Sequence, residues 1–529
     1  MSPKVLITDS LAPQGLERLQ SYPGIEVEVR PGLSTAELIQ HIPAYQALII
    51  RSGTKVTPPV IAAATQLQVI GRAGIGVDNI AVEAATKRGI VVMNTPGGNN
   101  VTTAEHALSM MLALARNIPQ ANASIRAGRW ERGKFTGSEV CNKVLGIIGL
   151  GNIGAIVAER ALGLRMRVIA FDPFITPEAA AKLRIEPVSL DELYAQADFI
   201  TVHTPLTEDT RGLIDRAAFG RMKTGVRLIN CARGGIIDEQ ALLHALQTGC
   251  VAGAALDVFV EEPPPASHPL LQLDNVICTP HLGAATDEAQ INVAVAIADQ
   301  VANYLTRGVI QHAVNFPSLT PKLIAFLQPY LLLGEKLGSF LAQLIGEAPR
   351  EVHVEYTGDI TDYDLAPATA AVLRGLLSSI LESDINYVNA PHIARERGVR
   401  VVESRSNRPS DFLNSVTVSI VSTSGTNTVE GAVFTNNVVR LVRVNTSYLE
   451  AVPEGHIIVL HNHDVPGVVG SVGTVLGQRG INIAGLELGR ERAGGQALAL
   501  VHVDAHVSAE VLDELRGLES VISAQQIHL

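Results

Sequence analysis

The chain has 529 residues, of which 47% are hydrophobic, 18% charged and 4% aromatic, and its formal net charge at pH 7 is −11. Because single hydrophobic cores stop growing well below this length, the chain should divide into roughly three or four domains. The composition is that of a soluble globular protein, and the negative charge excludes a general nucleic-acid binder.

The first half of the chain alternates strands and helices. Residues 1–98 contain short apolar strands separated by helical segments, and a second such series runs over 143–283. This rhythm predicts two domains built around parallel sheets. The apolar segment 102–117 predicts a long buried helix, and a second long helix, roughly 286–306, is expected to return the chain to the first domain. We therefore expect a cleft between two domains, formed by residues 1–98 with 284–317 and by residues 99–283.

The chain changes character after residue 317. Residues 318–452 are richer in polar residues and valine, with strand-like alternations around one helix, which predicts an α+β domain without an obvious catalytic motif. Residues 453–529 show the pattern of a strand, a helix, two strands and a helix, which indicates a compact domain of its own. The sequence contains no solenoid-type repeat.

The cysteines and the N-terminus bear on the compartment. The four cysteines, Cys141, Cys231, Cys250 and Cys278, form no Cys-x-x-Cys pair, which suits a reducing compartment and indicates no metal site. The sequence starts directly with a strand, without the layout of a signal peptide, and no apolar run reaches about 18 residues. We therefore expect a cytoplasmic protein that binds neither metals nor membranes.

The segment GLGNIG, residues 149–154, fits the GxGxxG pattern in the setting that makes it specific. The strand VLGII runs into it and the helical segment AIVAERALGL follows it. Gly149 permits the tight turn, Gly151 lets a pyrophosphate approach the backbone, and Gly154 allows close packing of helix and strand. The helix N-terminus then favours the phosphates. The alternative is a glycine turn without a ligand.

Asp172 indicates which dinucleotide is bound. It ends the strand that follows the glycine-rich segment. Its carboxylate would accept hydrogen bonds from the adenosine ribose hydroxyls, and its charge would repel a 2′-phosphate. The sequence therefore predicts NAD rather than NADP as the cofactor.

Three polar side chains follow apolar strands of the second series: Arg233, Glu262 and His281. The carboxyl ends of such strands line the ligand crevice of an open α/β sheet. Arginine can clamp a substrate carboxylate there, and histidine can take the proton of a secondary alcohol as hydride leaves. Glu262 would hold the imidazole in one tautomer. Taken alone, each residue also has a structural interpretation, as a salt-bridge arginine, a solvated loop carboxylate and a helix-capping histidine.

Further residues at strand ends extend this candidate site. Gly234 and Gly235 are expected to leave space for a substrate or nicotinamide. Asp257 could bond a nicotinamide carboxamide or, equally, cap a helix or turn. Arg51 ends the strand QALIIR of the first domain, where a fixed cation would suit a phosphate. The alternative for Arg51 is a surface arginine that starts a loop.

A series of motifs carries a family resemblance: GRAGIGVDNI (71–80), NTPGGNNVTTAEHAL (94–108), GLGNIG with Asp172, VHTPLTEDTRGLI (202–214), NCARGGIIDE (230–239), ALDVFVEEP (255–263) and TPHLGAAT (279–286). Over essentially its whole length the chain resembles the long form of the D-3-phosphoglycerate dehydrogenase family, within the D-2-hydroxyacid dehydrogenases. The resemblance implies two Rossmann-like or flavodoxin-like parallel-sheet domains that form a catalytic cleft. It also implies an α+β intervening domain and a C-terminal ferredoxin-like βαββαβ ACT domain. The implied boundaries are 1–98 and 284–317 for substrate binding, 99–283 for NAD binding, 318–452 for the intervening domain and 453–529 for the ACT domain.

The resemblance also implies residue roles. The catalytic arginine, glutamate and histidine fall on Arg233, Glu262 and His281, in agreement with the strand-end reasoning. The cofactor contacts fall on Gly149, Gly151, Asn152, Ile153, Gly154, Asp172, Thr204, Cys231, Arg233, Asp257 and His281. The substrate contacts fall on Arg51, Ser52, Gly53, Thr54, Gly74, Asn99, Asn100 and Arg233.

The implied activity is the NAD-linked oxidation of 3-phosphoglycerate to 3-phosphohydroxypyruvate, the committed step toward L-serine. Relatives that act on glyoxylate, hydroxypyruvate or lactate share the three catalytic residues, so another 2-hydroxyacid is an alternative substrate. An NAD-sensing interaction protein is an alternative of another class, because transcriptional corepressors share the fold and the catalytic residues.

The C-terminal segment HNHDVPGVVGSVGTVLGQRGINIAGL (461–486) resembles ACT domains, which bind amino acids at a dimer interface. Carried over, the effector contacts fall on Asn462, Asp464 and Asn482, with L-serine as the expected effector and a homo-oligomer, a dimer or tetramer, as the expected assembly. A pure dimerisation module is the alternative. Residues 318–450 resemble an intervening domain that can bind anionic effectors, but Arg374 and the VNAP run (388–391) define no site.

Overall fold

The computed structural model describes residues 2–318, 321–381, 385–406, 412–490 and 492–529. In chain order these residues form sheets of five, seven, six and four strands. The expected fold class, two parallel-sheet α/β domains followed by two further sheet domains, is confirmed. None of the helices in this part of the chain has the length and apolar character needed to cross a membrane.

The first sheet is built from short strands: β1 (Lys4–Ile7), β2 (Glu26–Val29), β3 (Ala47–Ile50), β4 (Val69–Arg72) and β5 (Val91–Met93). They are parallel in the order β2-β1-β3-β4-β5. The helices between them are α1 (Pro13–Gln20), α2 (Thr35–His41), α3 (Pro58–Ala63) and α4 (Val82–Lys87). Every residue of β3 and β5 is buried, as the apolar runs ALII and VVM require in a sheet covered on both faces.

Helices α5 (Asn100–Ala115) and α6 (Ile118–Arg126) lead to the second sheet. Its strands are β6 (Val144–Ile148), β7 (Arg167–Phe171), β8 (Glu186–Pro187), β9 (Phe199–Val202), β10 (Val226–Asn230), β11 (Val251–Leu256) and β12 (Val276–Cys278). Its helices are α7 (Asn152–Gly163), α8 (Pro177–Lys182), α9 (Leu190–Gln196), α10 (Arg216–Phe219) and α11 (Glu239–Gln247). The parallel order β12-β11-β10-β9-β6-β7-β8 reverses between β6 and β9, where open α/β sheets bind ligands.

Helix α12 (Asp287–Arg307) carries the chain back to the first sheet. Thr286 caps its start by accepting the N–H of Ala289, and Gly308 ends it in the left-handed conformation. The helix packs against β4, where a Cβ on Gly71 would lie 2.7 Å from Val301. The first domain is therefore completed by a segment that follows the second domain in the chain.

The third domain contains helices α13 (Pro321–Ile345), α14 (Ala366–Ser378) and α15 (Ala390–Glu396). Its strands are β13 (Glu351–Gly358), β14 (Arg400–Ser406), β15 (Asn414–Val421), β16 (Thr426–Phe434), β17 (Val438–Val444) and β18 (Ser447–Ala451), in the sheet order β14-β13-β15-β16-β17-β18. Glycines let α13 and α14 pack closely, because a Cβ on Gly375 would lie 1.9 Å from the carbonyl oxygen of Glu335. The domain also contacts the first domain, where Asn386 Nδ2 donates to the carbonyl oxygen of Gly89 (2.9 Å).

The fourth domain has the βαββαβ order: β19 (His456–His463), α16 (Val468–Gln478), β20 (Ile483–Arg490), β21 (Gln496–Val503), α17 (Ala509–Arg516) and β22 (Val521–His528). One face of its sheet packs on its own helices, and the other face shares a core with the third domain. Gln343 of α13 hydrogen-bonds both the N–H (2.9 Å) and the carbonyl oxygen (2.7 Å) of His528. The last two domains are therefore joined along β22.

Candidate active site

A cavity of about 1110 Å³ lies between the first two domains. Residues that follow β3 and β4 line one wall, and residues that follow β6, β9, β10, β11 and β12 line the other. This is the carboxyl edge of both parallel sheets, the edge at which such folds hold their ligands. The cavity brings together Arg233, Glu262 and His281.

The glycine-rich turn after β6 is tightly packed. Gly149 has φ +92°, and a Cβ on it would lie 2.7 Å from the carbonyl oxygen of His203. A Cβ on Gly154 would lie 2.1 Å from the carbonyl oxygen of Gly149. Gly151 has open space above it and lines the cavity. The first and third glycines therefore serve the turn and the helix packing, and the middle one is the glycine that a ligand can approach.

Asp172 follows β7, and its carboxylate is engaged by the backbone of the neighbouring turns. One oxygen accepts the N–H of Leu150 (2.7 Å) and the other accepts the N–H of Phe174 (2.8 Å). Each carboxylate oxygen keeps a further lone pair for a ribose hydroxyl. Asp172 therefore holds the glycine-rich turn in place and also supplies negative charge beside it.

Buried polar atoms without partners mark the cofactor side of the cavity. Within the described residues, Oγ1 of Thr204 and Nδ1 of His203 are buried without a hydrogen-bond partner, and both residues line the cavity. Burial lowers the pKa of His203 to about 4, so its imidazole is neutral at pH 7. Further residues on this wall are Asn152, Ile153, Cys231 and Asp257. Open backbone at a helix start and unsatisfied polar groups beside it fit a bound NAD.

Glu262 and His281 form a hydrogen-bonded pair. Nδ1 of His281 lies 2.7 Å from Oε2 of Glu262, and Oε1 of Glu262 accepts the N–H of Phe259 (3.1 Å). Burial favours the neutral acid, but the hydrogen bonds from His281 and Phe259 hold the pKa of Glu262 below its ordinary value. The charged carboxylate therefore fixes the imidazole through Nδ1 and leaves Nε2 for a substrate proton.

Asp257 is 1% exposed and anchors the loop that carries His281. Its carboxylate accepts the N–H groups of Leu282 (2.7 Å) and Gly283 (2.9 Å), and its carbonyl oxygen accepts the N–H of His281 (3.0 Å). Burial favours the neutral acid, but hydrogen bonds, the largest from His106, hold the pKa of Asp257 below its ordinary value. Of the two roles that the sequence left open, the structure favours the cap, because both carboxylate oxygens accept hydrogen bonds from the loop.

Arg233 reaches from the second domain to the first. Its Nε donates to the carboxylate of Asp78 (2.9 Å), and its Nη1 donates to the carbonyl oxygen of Ala232 (2.7 Å). A Cβ on Gly234 would lie 1.9 Å from the carbonyl oxygen of Phe259. The expectation that Gly234 leaves space for a ligand was therefore wrong, because this glycine makes room for the neighbouring backbone.

The cavity holds part of the expected substrate set. Besides Arg233, the members that line it are Arg51, Ser52, Gly74, Asn99 and Asn100. Thr54 lies outside the cavity, since it is 6% exposed and its hydroxyl bonds that of Thr8 (2.8 Å). Gly53 also lies outside, against the Asp9 carboxylate. These two residues shape the turn after β3, because Asp9 accepts the N–H of Thr54 (3.1 Å).

Arg72 is a cavity residue that the sequence reasoning did not select. Within the described residues its Nε is buried without a partner, and a Cβ on Gly74 would lie 2.2 Å from its Nη1. Burial, together with the nearby charge of Arg233, lowers the pKa of Arg72 to about 10. A buried guanidinium with an unsatisfied donor indicates an anion site. The available signal was its position at the end of the strand LQVIGR, the same signal that identified Arg233.

Comparison with known proteins matches three parts of the chain to known domains. Residues 108–283 match the NAD-binding domain of D-isomer specific 2-hydroxyacid dehydrogenases, residues 326–445 match the D-3-phosphoglycerate dehydrogenase intervening domain, and residues 456–520 match the ACT domain. A D-3-phosphoglycerate dehydrogenase of Archaeoglobus fulgidus is 44% identical over 528 residues, which are 99% of this chain and 100% of that protein. The chain belongs to the D-3-phosphoglycerate dehydrogenase family. This confirms the family and the cofactor, NAD, that the sequence motifs predicted.

Further relatives show which part of the chain is shared more widely. A D-3-phosphoglycerate dehydrogenase of Synechocystis sp. is 43% identical over 527 residues, covering 99% of this chain and 95% of that protein. The solved glyoxylate reductase from Paecilomyes thermophila is 30% identical with a TM-score of 0.55, covering 98% of that chain but 59% of this one. A match limited to this share of the chain shows the dehydrogenase fold and does not select the substrate.

The expected effector residues of the D-3-phosphoglycerate dehydrogenase family are not assembled within one chain. Asn462, near the end of β19, is 2% exposed, and its Oδ1 has no partner within the described residues. Asp464 accepts the N–H of Gly494 (3.0 Å) at the same end of the sheet. Asn482 precedes β20 at the opposite end, where its amide donates to Asp504 (2.8 Å). A site that contains all three residues therefore needs a second copy of the domain.

Proposed function

We propose that the protein oxidises 3-phospho-D-glycerate to 3-phosphohydroxypyruvate with NAD, the first committed step of L-serine synthesis. The observation that carries this proposal is the presence of Arg51, Arg72 and Arg233 on one cavity beside the paired imidazole of His281. A substrate with a carboxylate at one end, a secondary hydroxyl beside it and a phosphate at the other end matches this set of charges. The full-length relatives named above carry the name of this activity.

His281 would act as the general base. Glu262 holds its Nδ1 (2.7 Å), so Nε2 takes the proton of the C2 hydroxyl, and the carboxylate stabilises the imidazolium that forms. Arg233 would bind the substrate carboxylate through its Nη donors. Bound NAD supplies the acceptor for the C2 hydride. Because these groups lie on the second domain and Arg51 and Arg72 lie on the first, closure of the cleft would align the reactants.

Arg72 and Arg51 would bind the phosphate. Arg72 has a buried Nε without a partner within the described residues, which a phosphate oxygen would satisfy. The backbone N–H of Arg51 donates to the carboxylate of Asp9 (2.6 Å), which fixes this residue at the rim of the same wall. A dianionic phosphate would also relieve the repulsion between the arginines, which helps to lower the pKa of Arg72.

Replacing Arg72 by glutamine should therefore separate phosphorylated from unphosphorylated substrates. Loss of a charge-assisted contact is expected to lower kcat/KM for 3-phosphoglycerate by about 100-fold and to change kcat/KM for D-glycerate by less than about threefold. Steady-state rates of NADH formation with both acids give the two ratios. Arg88→Gln, at an exposed arginine after α4, is the matched control. An equal loss with both acids would contradict a phosphate contact at Arg72.

Two alternatives from the sequence have less support. A simple 2-hydroxyacid such as lactate or glycerate would leave the Nε of Arg72, which has no partner among the residues that the structure describes, without an anion. An NAD-sensing interaction protein is not the activity that the full-length relatives are named for, and it would need no anion site at Arg72. The buried guanidinium of Arg72 and the paired imidazole of His281 together suit a dehydrogenase that acts on an anionic alcohol.

We also propose that the chain forms a symmetric homo-oligomer, a dimer or tetramer, in the cytoplasm, and that L-serine binds between two copies of the fourth domain. The separation of Asn482 from Asn462 and Asp464 along one sheet supports an interface site, because a two-fold axis beside β20 would bring the two ends together. The Oδ1 of Asn462, which lacks a partner in the described part of the chain, is suited to an ammonium group. The cysteines are free thiols, which suits a reducing compartment.

L-Serine at millimolar concentration should lower the rate of NADH formation by the wild-type protein. Asn482→Ala is expected to raise the serine concentration for half-inhibition by about tenfold, because one hydrogen bond to the ligand is lost. Gln478→Ala, at an exposed residue at the end of α16, should leave that concentration unchanged. A wild-type rate that serine leaves unchanged would favour the alternative in which the fourth domain serves only for dimerisation.

A further inference from the structure

We propose that Asp78 is a positioning residue for the reaction, which holds the guanidinium of Arg233 from the opposite wall of the cleft. Asp78 lies in the loop after β4 of the first domain, and Arg233 follows β10 of the second domain. Their contact, Nε to Oδ2 at 2.9 Å, bridges the two domains at the cavity. The inference rests on the proposed role of Arg233 as the carboxylate-binding residue.

Arg233 uses some of its N–H donors within the protein and keeps the others for a ligand. Nε is used by Asp78, and one Nη1 N–H is used by the carbonyl oxygen of Ala232 (2.7 Å). A guanidinium carries its donors in one rigid plane, so fixing Nε and one side of Nη1 sets the direction of the remaining Nη donors. Asp78 thereby prepares a two-donor edge for the substrate carboxylate.

The loop that carries Asp78 is itself held firmly. The side-chain amide of Asn79 donates to the carbonyl oxygens of Arg51 and Thr54, both at 2.7 Å, and the carbonyl oxygen of Asn79 accepts the N–H of Val56 (2.8 Å). An exposed ion pair between mobile side chains contributes little, but here the Arg233 side chain is largely buried and the backbone next to Asp78 is fixed. The contact therefore has the rigidity that a positioning role requires.

Gly76 shows that the loop is shaped around the arginine. A Cβ on Gly76 would lie 1.9 Å from Nη2 of Arg233. The guanidinium thus lies directly over the backbone of the loop, at a position that any larger residue would block. The same loop accommodates the charge, since Asp78 raises the pKa of Arg72, which burial and the charge of Arg233 lower. Asp78 and Asp9 are thus two carboxylates whose charge partly offsets that of the arginines at the cavity.

The test compares Asp78→Ala and Asp78→Asn with Glu83→Ala, which removes an exposed carboxylate paired with Lys87 on α4 of the same domain. Asp78→Ala is expected to lower kcat/KM for the hydroxyacid by about 30-fold, mainly through KM, and to change KM for NAD by less than about twofold. Asp78→Asn should recover part of the loss, because its amide oxygen can still accept from Nε. Glu83→Ala should behave as the wild type.

A second background separates positioning from a structural role. In an Arg233→Lys variant, which lacks Nε–H, adding Asp78→Ala should lower kcat/KM for the hydroxyacid by less than about a further twofold. An equal loss in both backgrounds, unchanged or tighter substrate binding in Asp78→Ala, or a matching loss of NAD affinity would each overturn the proposal. The rates are measured with 3-phosphoglycerate and with D-glycerate, since both carry the carboxylate. If the wild-type protein turned over D-glycerate but not 3-phosphoglycerate, the proposed substrate would be wrong, and the test of Asp78 would remain valid with D-glycerate.

Discussion

Replacing His281 by asparagine is expected to lower kcat by about a thousand-fold, because the reaction loses its general base. Asparagine is the appropriate replacement because His281 has φ +54°, in the left-handed region that asparagine tolerates better than most residues. The loop anchored by Asp257 should therefore keep its course, and NADH affinity should change by less than about twofold. Stopped-flow and steady-state formation of NADH, with NADH binding followed by fluorescence, measure both quantities.

Glu262→Gln provides the graded comparison for this result. The amide keeps a hydrogen-bonding oxygen but loses the charge that stabilises the imidazolium, so kcat should fall by about tenfold. A His281→Asn variant with near-normal kcat would show that another group takes the hydroxyl proton. A Glu262→Gln variant as slow as His281→Asn would show that the carboxylate does more than orient the ring and stabilise its positive charge.

Replacing Arg233 by glutamine is expected to lower kcat/KM by about a thousand-fold, the cost of removing a charged partner from a substrate carboxylate in a partly enclosed site. The loss should appear with every 2-hydroxyacid, because all of them carry the carboxylate. It should exceed the effect of Arg72→Gln on unphosphorylated acids by at least about 100-fold. Both variants are assayed with 3-phosphoglycerate and with D-glycerate, and the kcat/KM values show whether the loss in Arg233→Gln is independent of the phosphate.

Arg211→Gln is the matched control for Arg233. Arg211 is exposed near Gly235, in the same part of the second domain, and does not line the cavity. Its rates should match those of the wild type. A kcat/KM for Arg233→Gln within tenfold of the wild-type value would show that Arg233 is a structural arginine that bridges the domains through Asp78.

Residues at strand ends could be found from the sequence because the fold itself makes them functional. Apolar runs mark the strands, and a parallel sheet places the residue after each run at one edge, so Arg233, Glu262 and His281 follow from pattern alone. The same rule also selects Arg72, at the end of β4, although it was not among the expected site residues. Gly53 and Thr54 were expected at the site as members of the segment 51–54, but neither lines the cavity, and the hydroxyl of Thr54 is buried against that of Thr8.

Contacts between distant segments could not be derived in this way. Asp257 anchors the loop of His281 only because β11 and β12 are paired in a particular register. Asp78 contacts Arg233 across the cleft, so this contact depends on how the first two domains are arranged. The last strand, Val521–His528, was implied by the family resemblance and not by its mixed residue pattern. Asn482 lies at the opposite end of the sheet from Asn462 and Asp464, so the three expected effector residues can share a site only through a second copy of the domain.

The most direct test of the proposed activity is NADH formation by the purified wild-type protein with 3-phosphoglycerate, D-glycerate and D-lactate at matched concentrations. The set of arginines on the cavity predicts a kcat/KM for 3-phosphoglycerate at least about 100-fold above that for either unphosphorylated acid. Equal rates with D-lactate, or no turnover with 3-phosphoglycerate in the presence of NAD, would contradict the proposed substrate.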